Sequence, residues 1–114
     1  MPFINTTTNK KVTKEQEALL VTKLGKAIEV IPGKTEEYLM LNLADEQRMA
    51  FRGKSDGEYA MVEVAIFGSS SPKALADFTR EVTKVISDVL RIPADDIYVN
   101  YTAHDTWGSG GVNF

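Results

Sequence analysis

Apolar residues recur at helical spacing in two stretches of the chain. From Thr13 to Ile31, the residues Leu20, Leu24, Ala27, Ile28 and Ile31 fall on one face, as an amphipathic helix requires. Thr13 and Gln16 have the spacing of a capping box at its start, and Pro32-Gly33 ends it. The second stretch is more regular. Leu75, Phe78, Val82, Ile86, Val89 and Leu90 form its apolar stripe, while Asp77, Arg80, Glu81, Lys84, Asp88 and Arg91 fill the rest of the surface. Ser71 can cap this helix, Pro72 suits its first position, and Ile92-Pro93 closes it.

Elsewhere the period is two. Strands are predicted from Phe3 to Thr8, Tyr38 to Leu43, Tyr59 to Phe67 and Ile97 to Tyr101. The element order is strand, helix, strand, then strand, helix, strand, and the halves rhyme. Ile31-Pro32 is followed by Glu36-Glu37, Tyr38 and an apolar strand, just as Ile92-Pro93 is followed by Asp95-Asp96, Ile97-Tyr98 and another. This predicts one α+β two-layer domain over residues 1–114, built from a duplicated βαβ unit with halves of about 2–57 and 58–114. Right-handed crossovers would place both helices on one face of a four-stranded sheet.

Strand parity separates the two faces. Leu39, Leu41 and Leu43 alternate with Tyr38, Met40 and Asn42, Val62, Val64 and Ile66 with Met61, Glu63, Ala65 and Phe67, and Ile97 and Val99 with Tyr98 and Asn100. The aliphatic face suits the helices. The other mixes aromatic, methionine and amide side chains. Two readings of it stand equally open: a half-wet antiparallel face, or a face buried against further copies of the chain.

Composition narrows the function classes. The chain carries 13 basic and 16 acidic residues, a net charge of −3, which gives no electrostatic reason to bind nucleic acid or a membrane surface. It has no cysteine, which excludes disulfides and thiolate chemistry. Its single histidine, His104, speaks against a histidine metal site or a catalytic triad and reads as a surface residue. No cofactor and no metal are expected. No stretch reads as a membrane span or a signal peptide, so the expected location is the cytoplasm.

The chain begins Met1-Pro2-Phe3-Ile4-Asn5. An initiator methionine before proline is normally removed, which would expose a secondary amine at the head of a buried strand. A free α-amine titrates near about 7.7–8.0, and burial or a nearby cation lowers that value. Such a group is a general base at neutral pH. On residue type alone, a second-position proline is commonplace and implies nothing.

The start Met-Pro-Phe-Ile-Asn, the Gly33-Lys34 pair before Tyr38, the segment Met49-Ala50-Phe51, and the run from Ile92 to Tyr101 together resemble the macrophage migration inhibitory factor family. The resemblance covers nearly the whole chain with little change in spacing. It implies the duplicated βαβ fold, assembly as a homotrimer, and a keto–enol tautomerase acting on a small α-keto acid of the phenylpyruvate type. It assigns the base to Pro2 and the substrate carboxylate to Lys34. Phe67-Gly68 stands where the family lines the pocket with backbone. Tyr98 and Asn100 match residues supplied by the neighbouring subunit, and Tyr38 matches an aromatic wall. Phe67 is bulkier than the family's usual aliphatic residue. The segment from His104 to Phe114 departs most, with Trp107 followed by a glycine-rich stretch. The family's cysteine-based thiol-reductase activity has no counterpart here.

Two further readings accompany this one. The family includes secreted signalling proteins, so a cytokine-like protein binding a host receptor, secreted without a signal peptide, is the alternative; no residue of the sequence marks a receptor site. Related proline-based decarboxylation or dehalogenation recruits extra arginine or acidic residues, for which Arg48 and Arg52 are the candidates.

Overall fold

The two predicted helices form where their capping signals stand. In the computed structural model, which describes residues 1–114, α1 (Lys14–Ala27) opens on the reciprocal box: Thr13 Oγ1 accepts from the Gln16 amide at 3.1 Å, and Gln16 Oε1 accepts from the Thr13 amide at 3.0 Å. The α-helix is shorter than its apolar periodicity predicts. After Ala27 the chain tightens into a 3₁₀ turn over Ile28–Val30, and Ile31 is extended (φ −83°, ψ 118°). Pro32 explains the break, because a residue preceding proline is pushed out of the helical region.

The second helix, α2 (Pro72–Leu90), is capped by Ser71, whose Oγ accepts from the Ala74 amide at 3.1 Å. It ends at Arg91 in the left-handed region (φ 60°), whose amide donates to the Ser87 carbonyl at 2.9 Å. Phe78, Val82, Ile86 and Leu90 are wholly buried along its inner face.

The strands are β1 (Pro2–Thr8), β2 (Met40–Ala44), β3 (Ala60–Phe67) and β4 (Ile97–His104), and they form one sheet in the order β2-β1-β3-β4. β1 runs parallel to β2 and β3 parallel to β4, while β1 and β3 are antiparallel. Each parallel pair is joined through its own helix, so the sheet is two βαβ units side by side. β2 begins later than the alternation predicts: Glu36–Tyr38 form a 3₁₀ turn, and Tyr38 lies before the strand, not in it. A short C-terminal hairpin pairs β5 (Gly108–Ser109) with β6 (Val112–Asn113). Its turn, Gly110-Gly111, has φ values of 61° and 86°, the left-handed pair that a two-residue hairpin turn needs. No helix is long and apolar enough to cross a membrane.

Register sorts the faces as parity predicts. Ile4 lies between Leu41 and Val64, and Val62 beside Val99. These residues join Leu24, Ile28, Phe78, Val82 and Ile86 in one core under both helices. The opposite face carries three cross-sheet rows: Met40–Phe3–Ala65–Thr102, Asn42–Asn5–Glu63–Asn100 and Ala44–Thr7–Met61–Tyr98. In the single chain no element covers it, and Met40 and Tyr98 are 68% and 59% exposed.

Candidate functional site

The strand directions gather one end of the sheet. β1 and β2 start there while β3 and β4 finish there, since Pro2 pairs with Ile66 and Phe67 with His104. The turn Pro32-Gly33 delivers Lys34 to the same end. Gly33 has φ 80°, a conformation that costs glycine little, and the Lys34 amide closes the turn onto the Ile31 carbonyl at 3.1 Å.

Lys34 Nζ donates to the Phe67 carbonyl at 3.0 Å. The Phe67 amide donates to the Met1 carbonyl at 3.1 Å. The end of β3 therefore holds the lysine through one backbone group and the start of the chain through another. The α-amine of Met1 is held below its ordinary value, first by burial and then by the charge and hydrogen bond of Lys34 beside it. Both causes act against the charged form of the amine.

This end opens into a cavity of about 910 Å³ whose walls include Pro2, Phe3, Tyr38, Met40 and Trp107. Glu37 is the one residue of its lining with a charged side chain. Pro2 itself is buried and Tyr38 exposed. Trp107 is half-buried, stands edge-on to the His104 ring at 5.8 Å, and is fixed to Phe114 by backbone bonds in both directions. A smaller groove of about 360 Å³ between α1 and β2 is mostly aliphatic, with Glu17 its sole charged residue. It pairs no base with a cation.

Of the residues singled out from sequence, the single chain thus brings Pro2, Lys34, Phe67 and Tyr38 to one place. Tyr98 and Asn100 lie elsewhere. Asn100 is exposed in the middle of β4, beside Glu63. Tyr98 is near the far end, where the Phe51 ring meets it edge-on with centroids 4.8 Å apart. Phe51 is braced in turn by Arg52, whose guanidinium sits 4.2 Å above its ring. Arg52 also donates to Asp96 Oδ1 and to the Asp95 carbonyl, both at 2.7 Å. A guanidinium so engaged clamps a loop to the start of β4, and it lies away from the cavity at Pro2. Arg48 is exposed.

Phe3, Glu37 and Met40 line the cavity without having been picked out by sequence reasoning; they read as ordinary sheet and surface positions. The sequence marked Trp107 as a family-type tryptophan without placing it, and it reaches the cavity through the C-terminal hairpin.

The chain matches the family model described as macrophage migration inhibitory factor (MIF) over residues 1–112. It is 30% identical over 102 residues to a macrophage migration inhibitory factor homolog of Wuchereria bancrofti, covering 87% of this chain and 84% of that one. Among solved structures it resembles Leishmania major MIF2, with a TM-score of 0.93 and 28% identity over 100% of this chain and 97% of the other. A macrophage migration inhibitory factor homologue of Prochlorococcus marinus is similar at a TM-score of 0.81 and 27% identity, covering 98% of both chains.

Proposed function

Because the chain belongs to the macrophage migration inhibitory factor family, we propose that it is a keto–enol tautomerase for α-keto acids of the phenylpyruvate type, with the amine of Pro2 as its base. Family membership carries the coarser statement: tautomerase or isomerase-type chemistry, cytokine-like roles and an oligomeric habit. The finer reading rests chiefly on one observation: the amine of Met1, the residue before Pro2, is depressed by burial and by Lys34 at the edge of an open cavity.

The proposed chemistry needs one residue fewer. Loss of Met1 turns the Pro2 nitrogen into the terminal amine. It also removes the acceptor of the Phe67 amide, leaving that N–H free beside the Lys34 ammonium. A substrate carboxylate can then take a charge-assisted bond from Lys34 and a second from the Phe67 backbone. With the carboxylate so fixed, the neutral amine removes a proton from the carbon next to the ketone. The electron pair moves onto the carbonyl oxygen, and the proton is returned there to give the enol. The reverse path restores the ketone. Tyr38 supplies an aromatic wall.

Tyr98 and Asn100 enter through assembly. They sit on the open sheet face, far from their own chain's Pro2, so their part in the pocket requires a neighbouring subunit. The reading is a homotrimer in which each pocket takes Pro2, Lys34, Phe67 and Tyr38 from one chain and Tyr98 and Asn100 from the next. Asparagine can donate to the developing enolate oxygen.

The test is an assay of phenylpyruvate tautomerisation on the purified chain, combined with intact mass. Active protein should lack Met1, and Pro2→Gly, which replaces the ring amine by a more flexible primary amine, should lose much of the rate. Full activity with Met1 retained, or undiminished activity in Pro2→Gly, rejects the proline base. Sedimentation should give three times the chain mass, and a stable monomer of full activity rejects the shared pocket.

A further inference from the structure

The cavity at Pro2 carries a single charged side chain, Glu37, on a wall that also holds two aromatic rings, Tyr38 and Trp107. Lys34 adjoins that wall from outside, held on the Phe67 carbonyl beside the amine of Met1. Glu37 is exposed and takes part in no ion pair or side-chain hydrogen bond of the chain: the basic residues Lys10, Arg52, Lys73, Arg80 and Lys84 are paired with Glu58, Asp96, Asp77, Asp77 and Asp88 respectively. The 3₁₀ turn of Glu36–Tyr38 places Glu37 directly before Tyr38, so the ring and the carboxylate reach the cavity together.

From this lone unpaired carboxylate we infer that Glu37 is a specificity-determining residue that acts on the part of the ligand beyond its carboxylate. The pocket takes a carboxylate at Lys34 and an aromatic body between Tyr38 and Trp107. It favours a cationic or neutral group beside Glu37 and disfavours a second carboxylate there. Among aryl 2-oxo acids the zwitterionic or singly charged ones are therefore preferred, and dicarboxylic ones bind several-fold less well. The physical basis is simple. Aromatic faces attract cations and are indifferent to sign-neutral groups. A second anion brought to Glu37 meets like charge, and the lining offers no cationic side chain to offset it. The inference rests on the proposed carboxylate site at Lys34 and adds the rim that discriminates among its ligands.

Trp107 is the only tryptophan of the chain and lines the cavity, so its fluorescence reports binding without catalysis. The probes are three cinnamates equal in shape, carrying aminomethyl, methyl or carboxylate at the para position. Titrated against the purified full chain at low salt, they should bind in that order, with about three- to tenfold between the first and the last, the range expected for exposed charges at short distance. Glu37→Gln should collapse the spread. Glu37→Lys, at the same exposed position, should reverse the order. Lys34→Ala should weaken all three alike. Equal binding of the three in the unaltered chain, or a spread that survives Glu37→Gln, overturns the role of Glu37 and leaves the Lys34 site standing. Binding indifferent to Lys34→Ala, or no binding by any probe, overturns the carboxylate site and the rim together.

Discussion

The two faces of the sheet are built from the same strands and spend their side chains differently. On the covered face Ile4, Val62, Val64 and Ile66 are buried to within 1% of complete under α1 and α2. On the open face their immediate neighbours Phe3, Met61, Ala65 and Phe67 remain partly exposed, and Glu63 is exposed. One face therefore stabilises the single chain. The other contributes little to it and is left for contacts outside it. A residue's effect should thus depend on its parity more than on its type.

The largest expected effect lies on the covered face. Phe78 is wholly buried at the centre of α2 and packs against Tyr101 with ring centroids 6.4 Å apart. Phe78→Ala should destabilise by about 3–5 kcal/mol, read from urea unfolding at fixed protein concentration. The open-face counterpart is Tyr98→Glu. It should leave the unfolding of the isolated chain nearly unchanged but prevent assembly, because an unpaired carboxylate would have to be buried. Sedimentation and circular dichroism together separate the outcomes. If Tyr98→Glu unfolds the chain, or assembles normally, the division of labour between the faces is wrong.

At the end of the sheet where the faces meet, electrostatics gives an intermediate effect. Lys34→Ala should raise the Michaelis constant by about tenfold, the loss of one charge-assisted contact to the carboxylate. It should also move the acidic limb of the kcat/KM profile upward. The sign follows from the causes. In the proposed reaction the Pro2 amine must be neutral to act. The Met1 amine that now begins the chain is held low by burial first and by Lys34 second, and the same two causes would bear on Pro2 once Met1 is gone. Removing the lysine leaves burial alone, so the pKa rises part of the way toward its ordinary value and the neutral fraction falls at any pH below it. Activity should therefore drop more steeply below neutrality than above it. An unmoved limb would show that Lys34 does not govern the base.

Much of this division was legible in the chain. The period-two alternation of β3 and the helical stripe of α2 assign each residue to a face without reference to the fold, because burial on one side alone sets both patterns. Capping was equally readable, since Thr13 with Gln16 and Ser71 with Pro72 act within a single turn. What was not legible was of two kinds. Some was local but outweighed: the continuation of α1 beyond Ala27 fitted the apolar spacing, yet Pro32 overrides it. The rest depends on distant contacts. Tyr38 fitted a strand, yet it belongs to a 3₁₀ turn. The place of Trp107 is set by the Gly68 amide bonding to the His104 carbonyl at 2.9 Å and by the hairpin closing on Phe114, and no local spacing encodes that. The pocket's membership followed the same rule: Pro2 and Lys34 were named through family resemblance, whereas Glu37 required the walls themselves.

The smallest effect tests the comparison within one strand. Thr8 and Asn5 both lie on β1 and both make side-chain hydrogen bonds, but they point to opposite faces. Thr8 is wholly buried. Its hydroxyl donates to the Tyr59 carbonyl at 2.8 Å and accepts from the Lys10 amide at 3.2 Å. Thr8→Val keeps the shape and strands two backbone groups, one of them in the interior, so it should cost about 1–3 kcal/mol. Asn5 is the middle of an amide row, accepting from Asn42 Nδ2 at 2.8 Å and donating to Glu63 Oε1 at 3.2 Å. In the single chain water replaces both bonds, and Asn5→Ala should cost only about 0.5 kcal/mol. Assembly changes that account. If three open faces close on one another, the row loses its access to water, and Asn42 and Glu63 lose a partner that water no longer replaces. The cost of Asn5→Ala should then grow as protein concentration is raised through the assembly midpoint, while that of Thr8→Val should grow no further than the shared assembly term allows. Equal concentration dependence for the two variants would mean that Asn5 stays hydrated in the assembly, and that the open face is not where the copies meet.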